Sequence, residues 1–396
     1  MQTAEFNRQQ LRGISYQFRK LSQPQVNGLS INEDFSELAV IEALDALLRS
    51  APNPRVGCIL TTADGTILGK GHTQAAGCPH AEVMALRDAA ARDHQLTGAT
   101  AYVTLEPCSH HGRTGPCCDA LISAGIKKVV ASIADPNPLV SGQGFERLRA
   151  AGVEVVVGPG AAESRELNIG FFSRMIRKTP WVRMKVATSL DGKTALLNGQ
   201  SQWITASAAR ADGHAWRARS CAVLTGIGTV LEDNPRLDVR LVATPRQPHL
   251  VVVDSQLLTP LDALIFESDR QIFIYASVEN ELKKTALEAR GAKVIYLPGA
   301  NGKVDLAAML RDLAQRQVNE VHVEAGHKLN GSLVREGLVD ELLVYVAPKL
   351  LGPGQDLASF GPLQHLDDAV HLAFVSTDMV GADLRILARV SGRDLF

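Results

Sequence analysis

His80, Glu82, Cys108 and Cys117 are the residues whose types and spacing could do the most demanding chemistry in this sequence. One imidazole and two thiolates suit Zn2+, and three protein ligands leave a fourth position for a water. The metal acidifies that water toward neutrality, and a carboxylate two residues from the histidine can shuttle its proton. This equipment suits hydrolytic deamination of an amino-substituted pyrimidine or purine, with zinc hydroxide as nucleophile and Glu82 as the non-ligand proton carrier. Both cysteines follow prolines, Pro107 and Pro116, at strand–helix junctions. Chance scatter of His, Glu and Cys explains that placement poorly, and a purely structural zinc site has no use for a free Glu82. Cys118 leaves one ligand open, since either adjacent thiol could point inward; the proline before Cys117 suits a first helical turn and favours Cys117. A helix start there also favours the thiolate. Eight residues separate Cys108 from Cys117, and the polar loop Ser109–Gly115 among them suggests substrate reading beside the metal.

Such a site needs elements to carry it. Apolar residues at helical spacing (Phe35, Leu38, Ala39, Ile41, Leu44, Leu47) predict a helix over 34–48. Pro52-Asn53-Pro54 ends it, a strand follows over 55–60, and Asp64-Gly65 joins that strand to another over 66–71. His80 opens a helix reaching about Arg92. Strands are expected over 101–105, 128–133 and 153–157, with helices over 116–124 and 145–151 and one long helix over 161–176. Arg177–Pro180 marks a seam. Beyond it, strands at 181–187, 222–225, 250–253, 272–275, 293–297, 320–324 and 342–347 alternate with helices that include 226–231 and 306–316. This alternation argues an α/β fold in two domains, 34–178 and 179–396, after a flexible extension over 1–33.

The 396 residues are too many for one ordinary domain, and 45% hydrophobic with 21% charged residues fits globular domains with sizeable cores. Lys+Arg 41 against Asp+Glu 42 leaves no basic footprint for a nucleic-acid partner, although one pocket could still hold a phosphate. The six cysteines cluster around one histidine motif, as in a metal site of a reducing compartment. No apolar run is long enough to span a membrane. The first thirty or so residues carry few acids and lack a secretory apolar core, so a terminal extension and a cytoplasmic location are expected.

Longer motifs carry a resemblance. Cys78-Pro-His80-Ala-Glu82, Thr104-Leu-Glu-Pro-Cys-Ser-His-His-Gly-Arg-Thr114, Asp135-Pro-Asn-Pro-Leu139 and Pro52-Asn-Pro-Arg-Val-Gly57 resemble the bacterial bifunctional riboflavin-biosynthesis deaminase/reductase family. The match continues through Lys185-Val-Ala-Thr-Ser-Leu-Asp-Gly-Lys193, Ser201-Gln-Trp-Ile-Thr205, Gly226–Leu237, Glu324–Gly331 and Val344–Gly352. It covers the chain from about Asp34 onward. Gly115 departs from it, standing where the family usually has a second proline.

The resemblance implies a cytidine-deaminase-like zinc domain followed by a dihydrofolate-reductase-like domain, one Zn2+ per chain, NADPH and a homo-oligomer, most simply a dimer. Asn53, His72, His110 and Arg113 would then contact the deaminase substrate, a pyrimidine ribosyl phosphate. Ala187, Trp203, Thr229, Asp233, Ser255 and the run Gly326, His327, Lys328, Leu329, Asn330, Gly331, Ser332 would line the NADPH site. Lys185, Ser201, Arg217, Leu237, Arg240 and Glu324 would face the reductase substrate, with Arg217 and Arg240 as candidate phosphate clamps. Two rivals are weaker. A deaminase of transfer RNA conflicts with the neutral charge and the second half, and a silent zinc protein has no need of Glu82.

Overall fold

The computed structural model describes residues 31–110, 115–138 and 140–396. Most of the expected extension and Arg113 lie outside the described residues. Contacts divide the chain into two compact units, with the division between Arg177 and Lys178.

The first unit begins with α1 (Ile31–Ala43), three residues ahead of the expected start. Asn32 in its first turn accepts the Tyr102 hydroxyl at 3.3 Å. A five-stranded sheet follows, in the order β2-β1-β3-β4-β5. Its strands are β1 (Gly57–Thr61), β2 (Ile67–His72), β3 (Thr100–Val103), β4 (Lys128–Ala131) and β5 (Glu154–Val157). β1 and β2 form the expected hairpin, and β3, β4 and β5 run parallel. Helices α2 (Ala81–Ala90), α3 (Cys117–Ser123) and α4 (Gln143–Ala150) connect them, and α5 (Ala161–Leu167) and α6 (Ile169–Arg177) close the unit. β2 takes α2 at very close range: a Cβ on Gly71 would lie 2.7 Å from the Ala81 carbonyl oxygen, so only glycine fits. The single helix expected over 161–176 is two. Its axis breaks at Asn168 (φ −111°), whose side chain turns back to hold both backbone groups of Arg55, accepting N–H at 2.7 Å and donating to C=O at 2.9 Å.

The second unit carries a nine-stranded sheet, in the order β11-β10-β9-β8-β12-β6-β13-β16-β15. In chain order its elements are β6 (Trp181–Ser189), β7 (Lys193–Leu196), α7 (Ser207–Arg219), β8 (Ala222–Gly226), α8 (Ile227–Asp233), β9 (His249–Val253), β10 (Ile272–Ala276) and α9 (Glu281–Ala289). Then come β11 (Ala292–Tyr296), α10 (Leu306–Gln315), β12 (Glu320–Val323), α11 (His327–Arg335), β13 (Glu341–Ala347), β14 (Gly354–Asp356), β15 (Leu372–Val380) and β16 (Asp383–Val390). All pairings from β11 to β13 are parallel, and the β15–β16 hairpin adds an antiparallel edge. One face of this sheet carries buried charges beside an apolar cluster of Trp216, Leu343, Tyr345 and Leu387. Arg183 bonds Glu341 at 2.5 Å and Glu320 at 3.1 Å, Arg219 reaches the same Glu320 at 3.1 Å, and Arg389 reaches Glu341 at 3.0 Å. Trp216 of α7 lies under two of these guanidinium groups, 4.5 Å from Arg183 and 5.4 Å from Arg219. No described helix is long and apolar enough to cross a membrane.

Candidate active sites

Parallel strands deliver their following loops to one sheet edge, the usual place for a ligand in an α/β fold. In the first unit the register pairs Cys58 with Val103 and Val103 with Ala131. The turn holding Asn53, the Pro107-Cys108 loop and the Asp135 loop therefore leave the sheet at the same edge. Asn53 is fixed through its backbone, which bonds Ser50 at 2.8 and 3.3 Å. His80 is the N-cap of α2, with extended backbone, and sets its ring before the helix. Its Nδ1 lies 3.4 Å from Cys117 Sγ and 3.6 Å from Cys108 Sγ, and Cys117 N–H points at Cys108 Sγ from 3.3 Å.

The three ligand atoms all lie within 4.8 Å of one another. The thiols share a hydrogen bond that lowers Cys108 to about 4 and holds the Cys117 proton tightly. One imidazole with a thiolate and a second thiol beside it is a donor set that fits Zn2+. Cys118 is not a competing ligand: its thiol donates to the Pro107 carbonyl at 3.2 Å and faces that of Gly144 at 3.5 Å. Glu82, in the first turn of α2, is 3% exposed. Burial, then the nearby Cys108 charge, pushes its carboxyl up to about 7. A carboxyl poised there can both take and give a proton near neutrality.

His110 lies exposed on the loop after Cys108. His72 does not join the cluster. β2 alternates its side chains, so Gly71 faces α2 while His72 faces α1, where Glu42 binds its Nδ1 at 2.9 Å. Glu106 had no role assigned from sequence beyond its place in a turn. It is buried and accepts the N–H groups of Asp135 (3.1 Å), Gly142 (2.9 Å) and Gly144 (2.8 Å), fixing the loop beyond β4. Its position beside Pro107-Cys108 was the available signal.

In the second unit the adjacent parallel strands β9, β8, β12 and β6 bring Ser255, Thr229, Glu324 and Ala187 to neighbouring positions at one edge. Lys185 and Ala187 share the face of β6 that stays partly open. Lys185 Nζ lies 4.0 Å from Glu324, whose carboxylate grips Arg217 through two bonds of 2.7 and 3.0 Å. Burial lowers the Lys185 pKa against the pull of Glu324. Burial also opposes the Glu324 charge, yet Arg217 and Lys185 together hold its carboxyl well below the usual range. Arg217 is thus engaged by Glu324, whereas Arg240 leaves half its side chain exposed beside Asp238. Trp203 is 61% exposed under the Arg210 guanidinium, so it is no core residue, and Ser201 precedes it in the same segment. Asp233 ends α8. Ser255 Oγ accepts Val304 N–H at 3.2 Å.

The start of α11 fits a dinucleotide pyrophosphate. Its N-cap is Gly326, no side chain caps it, and Gly326 and Lys328 are exposed. The space at Gly228 is open too, with no heavy atom within 4 Å of where a Cβ would sit. The run 326–332 is split, however. Asn330 and Gly331 turn toward 357–359: Asn330 donates to the Leu357 carbonyl at 2.9 Å, and a side chain on Gly331 would strike Ser359. His327 pairs with Gln355 at 3.1 Å, and Ser332 donates to the Lys328 carbonyl at 3.2 Å.

Known proteins match both units. The cytidine and deoxycytidylate deaminase zinc-binding region matches residues 29–133, and the RibD C-terminal domain matches 180–386. The Escherichia coli riboflavin biosynthesis protein RibD is 44% identical over 84% of this chain and 92% of its own. Its Aquifex aeolicus counterpart is 39% identical over 90% of this chain and 98% of its own. Acinetobacter baumannii RibD superposes with a TM-score of 0.82 at 38% identity, covering 91% of this chain and 99% of that one. A Thermotoga maritima diaminohydroxyphosphoribosylaminopyrimidine deaminase/5-amino-6-(5-phosphoribosylamino)uracil reductase superposes at 0.80 with 33% identity, over 91% and 99%. A cytidine-deaminase-type zinc domain and a dihydrofolate-reductase-like NADPH domain on one chain, aligned nearly end to end with these relatives, place it in the RibD family of bifunctional deaminase/reductases of riboflavin biosynthesis.

Proposed function

We propose that the first unit deaminates 2,5-diamino-6-(5-phosphoribosylamino)pyrimidin-4-one and that the second reduces the ribosyl side chain of the product to ribityl. The observation that carries the first step is Glu82, buried and unliganded beside three metal ligands. His80 Nδ1, Cys108 Sγ and Cys117 Sγ would hold zinc, which when bound would supply the Lewis acidity that makes water nucleophilic near neutral pH. Glu82 accepts the proton of the attacking water on its carboxylate and returns it to the departing amine, which leaves as ammonia. Asn53, His110 and Arg113 read the substrate; His72, tied to Glu42 on the opposite face, is left out of that role.

In the second unit bound NADPH supplies the hydride. The first turn of α11, from Gly326 to Leu329, holds its pyrophosphate, with Thr229, Asp233, Ser255, Ala187 and Trp203 around the rest. Lys185 and Glu324 orient the opened sugar imine together with Ser201 and Leu237, and Arg240 grips the terminal phosphate, with Arg217 held behind it. In this reading residues 34–178 are the deaminase domain, with α1 reaching back to Ile31, and 179–396 the reductase domain; the contact division falls one residue earlier, between Arg177 and Lys178. The reading makes the enzyme a cytoplasmic homodimer.

The test follows ammonia release and NADPH oxidation together on purified enzyme given the diaminopyrimidine. NADPH oxidation beginning only after ammonia appears is expected. Ammonia without NADPH oxidation overturns the reductase assignment, and NADPH oxidation without ammonia overturns the order.

A further inference from the structure

The chain from Arg236 to Arg240 is held by four side chains from three separate places, two of them on α7. Arg270 donates to the carbonyls of Arg236 and Leu237, the latter at 2.6 Å. Arg217 donates to that of Asp238. Gln247 takes both groups of Val239, accepting its N–H at 2.7 Å and donating to its carbonyl at 2.9 Å. His214 Nδ1 accepts the Arg240 N–H at 3.2 Å. Leu237, Asp238 and Val239 are buried, and Leu237 sits at φ 52°, a conformation a leucine keeps only under such restraint. At the two ends of the segment Arg236 and Arg240 are exposed, Arg236 paired with Glu267 and Arg240 with Asp238 Oδ1 at 2.6 Å.

We propose that this segment is a preformed phosphate-gripping loop and that His214 is its positioning residue, setting the backbone from which Arg240 reaches the substrate phosphate. The inference rests on the assignment of Arg240 to that phosphate. A rigid segment spends little binding energy on ordering, so the grip depends on the bonds that shape it. His214 serves only as an acceptor at Nδ1, which requires the neutral ring. Burial, with Arg217 and Arg240 close by and Glu324 and Asp238 opposing them, lowers its pKa to about 4. The ring therefore stays neutral at working pH.

Reductase kinetics of the full chain test this with 5-amino-6-(5-phosphoribosylamino)uracil and with the same molecule lacking its phosphate. His214→Ala is expected to raise KM for the phosphorylated substrate about tenfold, with kcat nearly unchanged and the phosphate-free substrate unaffected. His214→Asn, whose amide oxygen can accept the same N–H, restores most of the loss. Equal losses on both substrates, or no rise in KM, overturn the proposal. Arg240→Ala separates it from the reading beneath it. If that variant leaves KM for the phosphorylated substrate unchanged, the phosphate assignment itself falls. If Arg240→Ala raises KM and His214→Ala does not, the assignment stands and the positioning role falls. Gln247→Ala frees Val239 in the same segment and is expected to reproduce the KM rise; it decides the matter where His214→Ala folds poorly by its thermal transition.

Discussion

Cys117 and Cys118 are neighbours in sequence, yet the first turn of α3 sends one sulfur to His80 and the other to the Pro107 carbonyl. Cys117→Ser should therefore lose zinc, measured as metal per chain, while Cys118→Ser keeps it and costs about 1 kcal/mol at most in stability. Glu82→Gln leaves all three ligands intact, so zinc content should hold while ammonia release falls at least about a hundredfold. Ligand types were legible in the sequence because His, Glu and then Cys at that spacing carry their own chemistry. The face a side chain takes was not legible. His72 stands next to a strand end that borders the site, and only the pleat of β2 shows that it faces Glu42 instead.

Asn168 shows what an element boundary can do for a distant site. Its amide holds Arg55, two residues beyond Asn53, from the break between α5 and α6. Asn168→Ala removes two buried hydrogen bonds to the Arg55 backbone and should cost about 2–3 kcal/mol in thermal or denaturant unfolding. Deaminase KM should rise with it as the Asn53 turn loosens. In β12, His322 is fully buried, and neither ring nitrogen hydrogen-bonds among the described residues. Burial lowers its pKa from 6.5 to about 3, with the nearby Arg183, Arg217 and Lys185 charges adding to the effect and Glu324 opposing it. The unfolded chain thus binds a proton that the folded chain refuses, and stability present above pH 6.5 is lost as pH falls toward 3. At pH 5 the loss is about 2 kcal/mol. His322→Phe should lose less stability than the parent between pH 7 and 5 by that amount; identical losses would contradict the argument. Periodicity located most strands because parallel strands buried on both faces read as apolar runs. It missed α7, whose buried side mixes His214, Arg217 and Arg219 with small alanines and Trp216, so the apolar stripe is broken. It missed the β15–β16 hairpin as well, where a bulge between Phe374 and Ser376 interrupts the alternation.

At the scale of the molecule, each half has its own sheet and its own chemistry. Chelation of zinc should abolish ammonia release, while reduction of separately supplied deaminated substrate stays within about twofold, because no described reductase-site residue lies in the zinc unit. Loss of both activities would mean that the second sheet depends on the metal of the first. The two-part plan was legible from Arg177–Pro180 and the repeated strand–helix alternation; the buried charge cluster of the second sheet was not, since its partners are far apart in sequence. Arg183, Arg219, Arg389, Glu320 and Glu341 bond one another in the interior, and Arg389 also reaches Asp394 at 3.0 Å. Apolar residues could replace such a set together at little cost, but removing one member strands a buried charge and costs about 3–5 kcal/mol. Evolution moves mostly by single substitutions, and few domains have that margin to lose. The arrangement is therefore entrenched: descendants of this chain can inherit the whole set or abandon it in concert, but they cannot drift away from it one residue at a time.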